Sequence, residues 1–418
     1  MKKLSSQFFL YIPTSFFAFL IILLVLHNGL IVFFVHPPLP LHQNLTSDPL
    51  KNGESLPIYL VRQESSRTIS SYYSFVSKNL TAESLVASVA SAKVKASLIR
   101  RKKRVNRALQ MGPTSKHFSI KVSLFLTKCR DRDRFFMTWL SSLESFSSRE
   151  IFSIEGLFKS HPSSCLIIVS NSMDSDKGKL ILHPFLTKGY RVMAFKPDFN
   201  YLFSHTPAWS WFKKLKKGKI NPGMVSLNQN LSNLVRLTLL YKFGGTYLDT
   251  DFVVLKSFHH LRNSIGAQTI DIKTGNWTRL NNAVLIFDKN HPLLFNFIRE
   301  FALTFDGNKW GHNGPYLVSR VMSRFNGKPE FDDVTVLPPS AFYPVNWRLV
   351  RSIFKRPEDE LHNQWQDKIL EQIKDKSFGI HLWNKQSKDI EIEDGSIVGR
   401  IMSDYCLLCT SINSTLRG

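Results

Sequence analysis

The run from Leu231 to Leu255 constrains the fold more tightly than any other stretch of the chain. Leu231, Leu234, Val235, Thr238 and Tyr241 fall on one face at helical spacing. Gly244 and Gly245 follow where a helix C-cap belongs. Thr246 to Leu255 then reads as a strand broken at Asp249 to Asp251. The apolar flanks Thr246–Leu248 and Phe252–Leu255 do not suit an ordinary solvated turn. They press two carboxylates toward the interior edge of a sheet, where unpaired charge is expensive. A hard divalent cation, manganese or magnesium, removes that cost and also neutralises a leaving diphosphate. Transfer from a nucleotide sugar is therefore the leading reading. A lone Asp-x-Asp is common by chance, so the rest of the chain has to carry the argument.

The flanking pattern supports an α/β body. Val122–Leu126, Leu166–Val169 and Tyr190–Phe195 read as strands, with helical patterns beginning near Phe135 and Gly178. Such alternation implies parallel crossovers. Ala283–Phe287 is a further strand, residues 291–304, 313–325 and 361–375 read as helices, and Phe378–Trp383 is a late strand. No internal repeat is present.

At 43% hydrophobic and 21% charged residues the 418-residue chain is globular. Its formal charge of +23 would by itself suggest nucleic acid, an anionic membrane or a phosphorylated substrate. The N-terminus argues against the first. Phe8 to Val35 carries no formally charged residue, and Lys2 and Lys3 precede it. A spanning helix needs about 20 such residues, and the lysines place the tail in the cytosol. The run is longer than the apolar region of a cleaved signal peptide. The expected order is a cytosolic tail at 1–7, a signal anchor at 8–35, a stem at 36–115 and a lumenal catalytic domain at 116–418.

A lumenal body fits five sequons, at Asn44, Asn79, Asn230, Asn276 and Asn413. It also fits disulfides among Cys129, Cys165, Cys406 and Cys409, for which three connectivities exist. Residues 81–110 are Ala- and Ser-rich and read as helical, ending near the basic run Arg100–Arg104. The lysines of 213–219 read as an exposed loop. Both basic clusters are read as solvated surface, and no nucleic-acid partner is expected. The anchor or stem also offers a route to a homo-oligomer.

Asn233-Leu-Val-Arg236 through Lys242-Phe-Gly-Gly-Thr-Tyr-Leu-Asp-Thr-Asp251 resembles the sugar-binding region of Asp-x-Asp glycosyltransferases. Yeast initiating mannosyltransferases and clostridial glucosylating toxins belong to that group. Leu280-Asn-Asn-Ala-Val-Leu-Ile-Phe287, Trp310-Gly-His-Asn-Gly-Pro315 and Ile380-His-Leu-Trp-Asn-Lys385 are narrower. They resemble the α-1,4-glycosyltransferase family, plant proteins similar to animal lactosylceramide α-1,4-galactosyltransferase.

The resemblance implies a GT-A fold, a Rossmann-like mixed sheet flanked by helices, with an Asp-x-Asp sugar-binding region at about 160–275 and an α-1,4-glycosyltransferase C-terminal region at about 280–410. It implies a UDP-sugar donor, a divalent metal (Mn2+ or Mg2+) and retention of configuration. Asp249 is then expected at ribose and metal, Asp251 as a direct ligand, and His381 as the third ligand. Arg236, Tyr247, Asn281, Asn282, His312, Asn313 and Trp383 are expected around the donor. Asn233 stands where relatives usually carry Asp, which leaves the donor sugar open between galactose and N-acetylglucosamine. The acceptor is a glycan or glycolipid, and the setting is the Golgi membrane. No nucleophile stands out, and departure and attack on one face is the favoured route. The rival reading is a non-catalytic, membrane-anchored glycan-binding or scaffold protein on the same fold.

Overall fold

The computed structural model describes residues 82–109, 115–130, 133–325 and 327–408. The expected anchor at 8–35, the sequons Asn44, Asn79 and Asn413, and Cys409 lie outside these residues. Among the described residues no helix is long and apolar enough to cross a membrane.

Two helices, α1 (Ala82–Ala108) and α2 (Ser115–Leu126), precede the first strand, β1 (Arg134–Trp139). Next come α3 (Ser148–Ser160), β2 (Cys165–Ser170), α4 (Asp176–Thr187) and β3 (Arg191–Phe195). Short helices α5 (Phe199–Phe203) and α6 (Ala208–Lys216) lead to α7 (Leu227–Phe243). The strands β4 (Gly245–Leu248), β5 (Phe252–Val254), β6 (Ser264–Ile270) and β7 (Trp277–Phe287) follow. The remainder is α8 (Pro292–Thr304), α9 (Pro315–Phe325), β8 (Thr335–Leu337), α10 (Pro339–Phe342), α11 (Glu360–Lys376), β9 (Gly379–His381), α12 (Asn384–Ser387) and α13 (Ile397–Tyr405).

Seven strands form one sheet in the order β3-β2-β1-β4-β7-β6-β8. The first four are parallel, β7 runs antiparallel to both β4 and β6, and β8 is parallel to β6. Alternate residues feed two cores. Phe136, Ile167, Val169 and Tyr247 join α7, α8 and α9 on one face. Phe135, Met137, Leu166, Ile168 and Leu248 join α3, α4 and α13 on the other. Strands buried on both faces read as continuous apolar runs, as parallel sheet strands do. Chain order reverses between β1 and β4, and in open α/β sheets ligands bind beyond the strand C-termini at such a switch.

Three readings of the sequence are corrected here. Val122–Leu126 is the end of helix α2, whose Phe118, Val122 and Leu126 are buried at four-residue spacing. The first strand is instead β1, where a helical pattern was expected. Helix α1 covers the Ala-rich segment as expected, and its C-terminal part joins the body. Val105 and Leu109 are buried in the core, and Arg104 donates to the carbonyl of Gly223 at 2.9 Å. The lysine run 213–219 is partly helical, because α6 extends to Lys216 around a buried Leu215.

Of the three disulfide pairings the structure contains Cys129–Cys165, with Cα atoms 6.1 Å apart across 36 residues. A loop of that length corresponds to about 4 kcal/mol of unfolded-state entropy in the chain-closure account. Cys406 is disulfide-bonded too.

Candidate active site

Helix α7 ends at Gly244 with φ of 64°, whose N–H donates to Leu240 O at 2.8 Å. A side chain there would meet Lys289 N at 2.7 Å, and Gly245 (φ 109°) lies against the backbone of Arg134. Only glycines fit both positions. They let α7 turn at once into β4, which then runs parallel to β1 and antiparallel to β7. Asp249 is therefore the first residue beyond the C-terminus of β4, and its N–H donates to Ala283 O at 2.8 Å.

One carboxylate oxygen of Asp249 is held twice. Arg236, from α7, ion-pairs with it at 3.0 Å, and the hydroxyl of Tyr247 donates to it at 2.9 Å. Arg236 is 1% exposed and lies 4.4 Å over the Tyr247 ring. The nitrogen that pairs with Asp249, Nη2, also donates to the Ser232 hydroxyl at 3.2 Å, while Nη1 donates to Asn282 O at 2.6 Å and Nε to the Ser232 carbonyl at 3.3 Å. Thr138, near the end of β1, links the hydroxyls of Tyr247 and Ser232 at 2.8 and 2.5 Å. Charge at a buried guanidinium is tolerable only with this degree of pairing.

Asp251 is built from the other side. Strand β9 pairs antiparallel with β5, with His381 opposite Phe252. The N–H of Leu382 donates to the Asp251 carbonyl at 2.8 Å. His381 Nε2 then lies 3.3 Å from Asp251 Oδ1, while Asn384 N–H donates to Oδ2 at 2.8 Å. Asn384 is itself tied to Glu150 at 3.0 Å. The αL conformation of Trp383 (φ 54°, ψ 55°) turns the chain between these contacts. Its indole N–H donates to Val345 O at 2.8 Å, and its ring meets His381 edge-on at 4.4 Å.

Asp249, Asp251 and His381 each offer one ligand atom, and the three lie within 4.8 Å of one another. Burial pushes the Asp249 carboxyl up, the Arg236 charge offsets part of this, and the neighbouring Asp251 adds to the rise. Burial acts in the same sense on Asp251, but His381 and the Asn384 amide outweigh it and hold that carboxyl below its usual range. His381 is correspondingly raised: burial opposes its charge, but Asp251 prevails. Two adjacent, half-neutralised acids beside an imidazole, with His381 Nδ1 lacking a partner, form a donor set that fits one hard or borderline divalent ion.

The trio opens on a cleft of about 660 Å³, lined also by Asn233, Arg236, Asn281, Asn282 and Trp383. Asn282 donates to Asn233 Oδ1 and Asn281 to Gln268 Oε1, each at 3.0 Å. Tyr247 supports the cleft from behind, at 0% exposure. His312 and Asn313, expected around the donor, do not line this cleft. Asn313 is buried and clamps the chain, bonding Asn230, Asp306 O and Asp306 N at 2.8 to 3.1 Å. His312 bonds Thr304 O at 2.8 Å and faces an adjoining hollow. Asn230 is corrected as a glycan acceptor: it is 2% exposed inside α7, with its amide oxygen engaged by Asn313. Asn276 stays exposed, just before β7.

Lys385 is a cleft residue that sequence reasoning did not single out. Burial lowers its pKa, and its ammonium sits 3.7 Å over the Trp310 ring. It ends the Ile380–Lys385 block, which was the available signal. Thr138, Ser232 and Gln268 had none, since their roles arise only when separate elements meet.

The fold and site define a glycosyltransferase of the Asp-x-Asp class. A glycosyltransferase sugar-binding region containing the DXD motif matches residues 147–270, and an alpha 1,4-glycosyltransferase conserved region matches 286–413. Lactosylceramide 4-alpha-galactosyltransferase of Rattus norvegicus is 30% identical over 271 residues, 61% of this chain and 68% of the relative. An uncharacterized protein of Arabidopsis thaliana is 32% identical over 303 residues, 71% of this chain. That match spans 45% of the Arabidopsis protein's own length. The chain belongs to the α-1,4-glycosyltransferase family, and its domains and its relatives named as galactosyl- and N-acetylglucosaminyltransferases mark it as a hexosyltransferase. Among solved structures, the PaToxG glycosyltransferase is similar at 18% identity and a TM-score of 0.35, over 56% of this chain and 82% of that one. A likeness of that size adds nothing to the argument from topology.

Proposed function

We propose that the chain is a retaining, metal-dependent hexosyltransferase of GT-A type. It moves galactose or N-acetylglucosamine from a UDP-sugar to a glycan or glycolipid and forms an α-linkage. The setting is the Golgi membrane, with residues 8–35 as a type II anchor and the body lumenal. The observation that carries this reading is the convergence of Asp249, Asp251 and His381 at the head of a cleft beyond the β4 C-terminus.

Asp251 and His381 would hold Mn2+ or Mg2+ directly, with Asp249 shared between the ion and the ribose. When bound, the ion supplies charge neutralisation for the departing diphosphate. Arg236 offsets part of the burial that disfavours charge on Asp249, and Tyr247 fixes the rotamer of that carboxylate. Asn233, Asn281 and Asn282 present amides to the donor sugar, where both donors and acceptors are useful. Lys385 supplies a cation at the cleft wall. Asp249 and Asp251 are the sole carboxylates among the described lining residues of this cleft. That favours same-face departure and attack, with the leaving phosphate taking the acceptor proton, over a carboxylate nucleophile.

The test incubates the full chain in detergent with Mn2+ and a panel of UDP-sugars and scores UDP release against Asp251→Asn. Release by wild type with one donor, lost in the variant, is expected. Equality of the two proteins with every donor would favour the scaffold reading.

A further inference from the structure

Next to the donor cleft lies a second hollow of about 790 Å³. Trp310 and Tyr316 line both spaces, so the two adjoin at this aromatic pair. Both rings are unusually open for their size, Trp310 at 50% and Tyr316 at 39% exposure. Each is seated by a cation: Lys385 lies 3.7 Å over Trp310, and Arg279 lies 4.6 Å over Tyr316. Such seats fix the ring planes while leaving much of each ring in solvent. The lining adds hydroxyls and an amide from Thr278, Ser319, Ser323 and Asn276, the cations Lys309 and Arg320, and His312, and no carboxylate lines the hollow.

Fixed, exposed aromatic faces beside hydroxyl, amide and cationic hydrogen-bond donors, with no carboxylate, suit a ligand with alternating apolar and hydroxyl faces. That is the surface of a sugar ring. An open apolar patch with a polar rim also marks a binding site rather than a folding defect. We infer that this hollow is the acceptor site and that the acceptor is an oligosaccharide of two or more sugars. Its inner sugars rest on Trp310 and Tyr316, and its terminal hydroxyl reaches into the donor cleft. A monosaccharide would leave the outer hollow empty. The assignment rests on the glycosyltransferase reading and adds the acceptor's length and footing. Free, protein-borne and lipid-borne glycans share this chemistry.

The experiment applies the full chain in detergent, with UDP and Mn2+, to an immobilised array of mono- to hexasaccharides. Lactosylceramide in phosphatidylcholine vesicles forms a parallel arm. Binding to at least one glycan of two or more sugars is expected. Trp310→Ala and Tyr316→Ala should each weaken it by roughly tenfold, the loss of about one stacking contact. Trp365→Ala, which removes another exposed tryptophan on α11, should bind as wild type does. Thermal unfolding verifies that each variant is folded. Capture on the array alone indicates a soluble or protein-borne glycan, capture on vesicles alone a glycolipid, and either supports the site if Trp310→Ala weakens it to that extent. Equal binding by the aromatic variants, equal binding of monosaccharides, or no glycan bound while UDP release persists would overturn it. Glycan binding without UDP release from any donor would instead sink the enzyme reading and leave this site standing.

Discussion

Replacing Arg236 with methionine should cost the fold most of the free energy of one forcibly protonated carboxyl. Arg236 is wholly buried and pairs with Asp249 at 3.0 Å, with Asp251 close behind. Without the guanidinium, burial and the second carboxylate both disfavour ionised Asp249, so the folded protein takes up a proton that the unfolded chain gives up. The cost is capped by holding that proton at the working pH. From the ordinary value of 3.8 the cap is about 4.4 kcal/mol at pH 7, at about 1.36 kcal/mol per unit. It agrees with the usual 3–5 kcal/mol for breaking one side of a buried pair. An acid raised in the folded state destabilises above its unfolded pKa, and the penalty fades as pH falls. At pH 5 the cap is therefore only about 1.6 kcal/mol. Stranding the Asn282 carbonyl adds about 1–3 kcal/mol that does not vary with pH. For a body of this size each kcal/mol moves Tm by roughly 2 °C. Differential scanning fluorimetry should then show a gap to wild type several degrees wider at pH 7 than at pH 5. Asp249→Asn in the same background should close most of the pH-dependent part, and saturating Mn2+ should narrow it by supplying another counter-charge. A gap of equal width at both pH values, or no recovery in the double variant, would refute the reasoning.

Three further outcomes follow from the same geometry. His381→Ala should weaken Mn2+ binding by at least about tenfold, the lower end of what even outer partners of a metal site contribute; calorimetry with Mn2+ and UDP checks it, and unchanged affinity removes His381 from the ligand set. Burial pushes His161 down to about 4, and its neutral ring accepts the Phe258 N–H at 2.8 Å. The unfolded chain therefore binds a proton that the fold refuses, and stability falls by up to about 3 kcal/mol as pH drops from about 6.5 to 4; His161→Gln should flatten that slope in urea unfolding, and an unchanged slope counts against it. Gly379→Ala would drive a methyl into the Phe252 ring on the partner strand. It should cost about 1–3 kcal/mol as an overpacked site and shift His381, so Mn2+ affinity should fall along with Tm; a loss of Tm with metal affinity intact would show that β9 tolerates the shift.

The parts of this molecule that were legible in its sequence are those whose geometry is set locally. The α7–Gly244–Gly245–β4 turn could be read because helix period, paired glycines and apolar strand are contiguous, and the Asp pair falls where they end. The same logic misfires for α2. Its buried Phe118, Val122 and Leu126 follow a helical period, but Ile120 and Leu124, at 57% and 63% exposure, fill the gaps and imitate strand alternation. Strand β1 misleads in the opposite sense. It is buried on both faces between β2 and β4, so it shows no alternation at all. Short apolar runs of that kind are ambiguous between strand and buried helix on periodicity alone.

The site divides along the same line. Asp249 and Asp251 announce themselves, but what makes them a site is the small sheet of β5 and β9, which brings His381 in from far along the chain. Only the Ile380–Lys385 block hinted at that meeting. Asn313 shows the converse. A motif residue with every mark of a ligand contact spends its amide on Asn230 and Asp306, joining the loop before α9 to α7. That clamp places Trp310, three residues earlier, at the border of both hollows. Within the block Trp310–Pro315, Asn313 is thus a support, while Trp310, Gly311 and Pro315 line the cleft. On this view Asn313→Ala should damage folding, leaving Asn230 Oδ1 and the Asp306 amide without partners, whereas Trp310→Ala should leave the fold intact and act on what the cleft can hold.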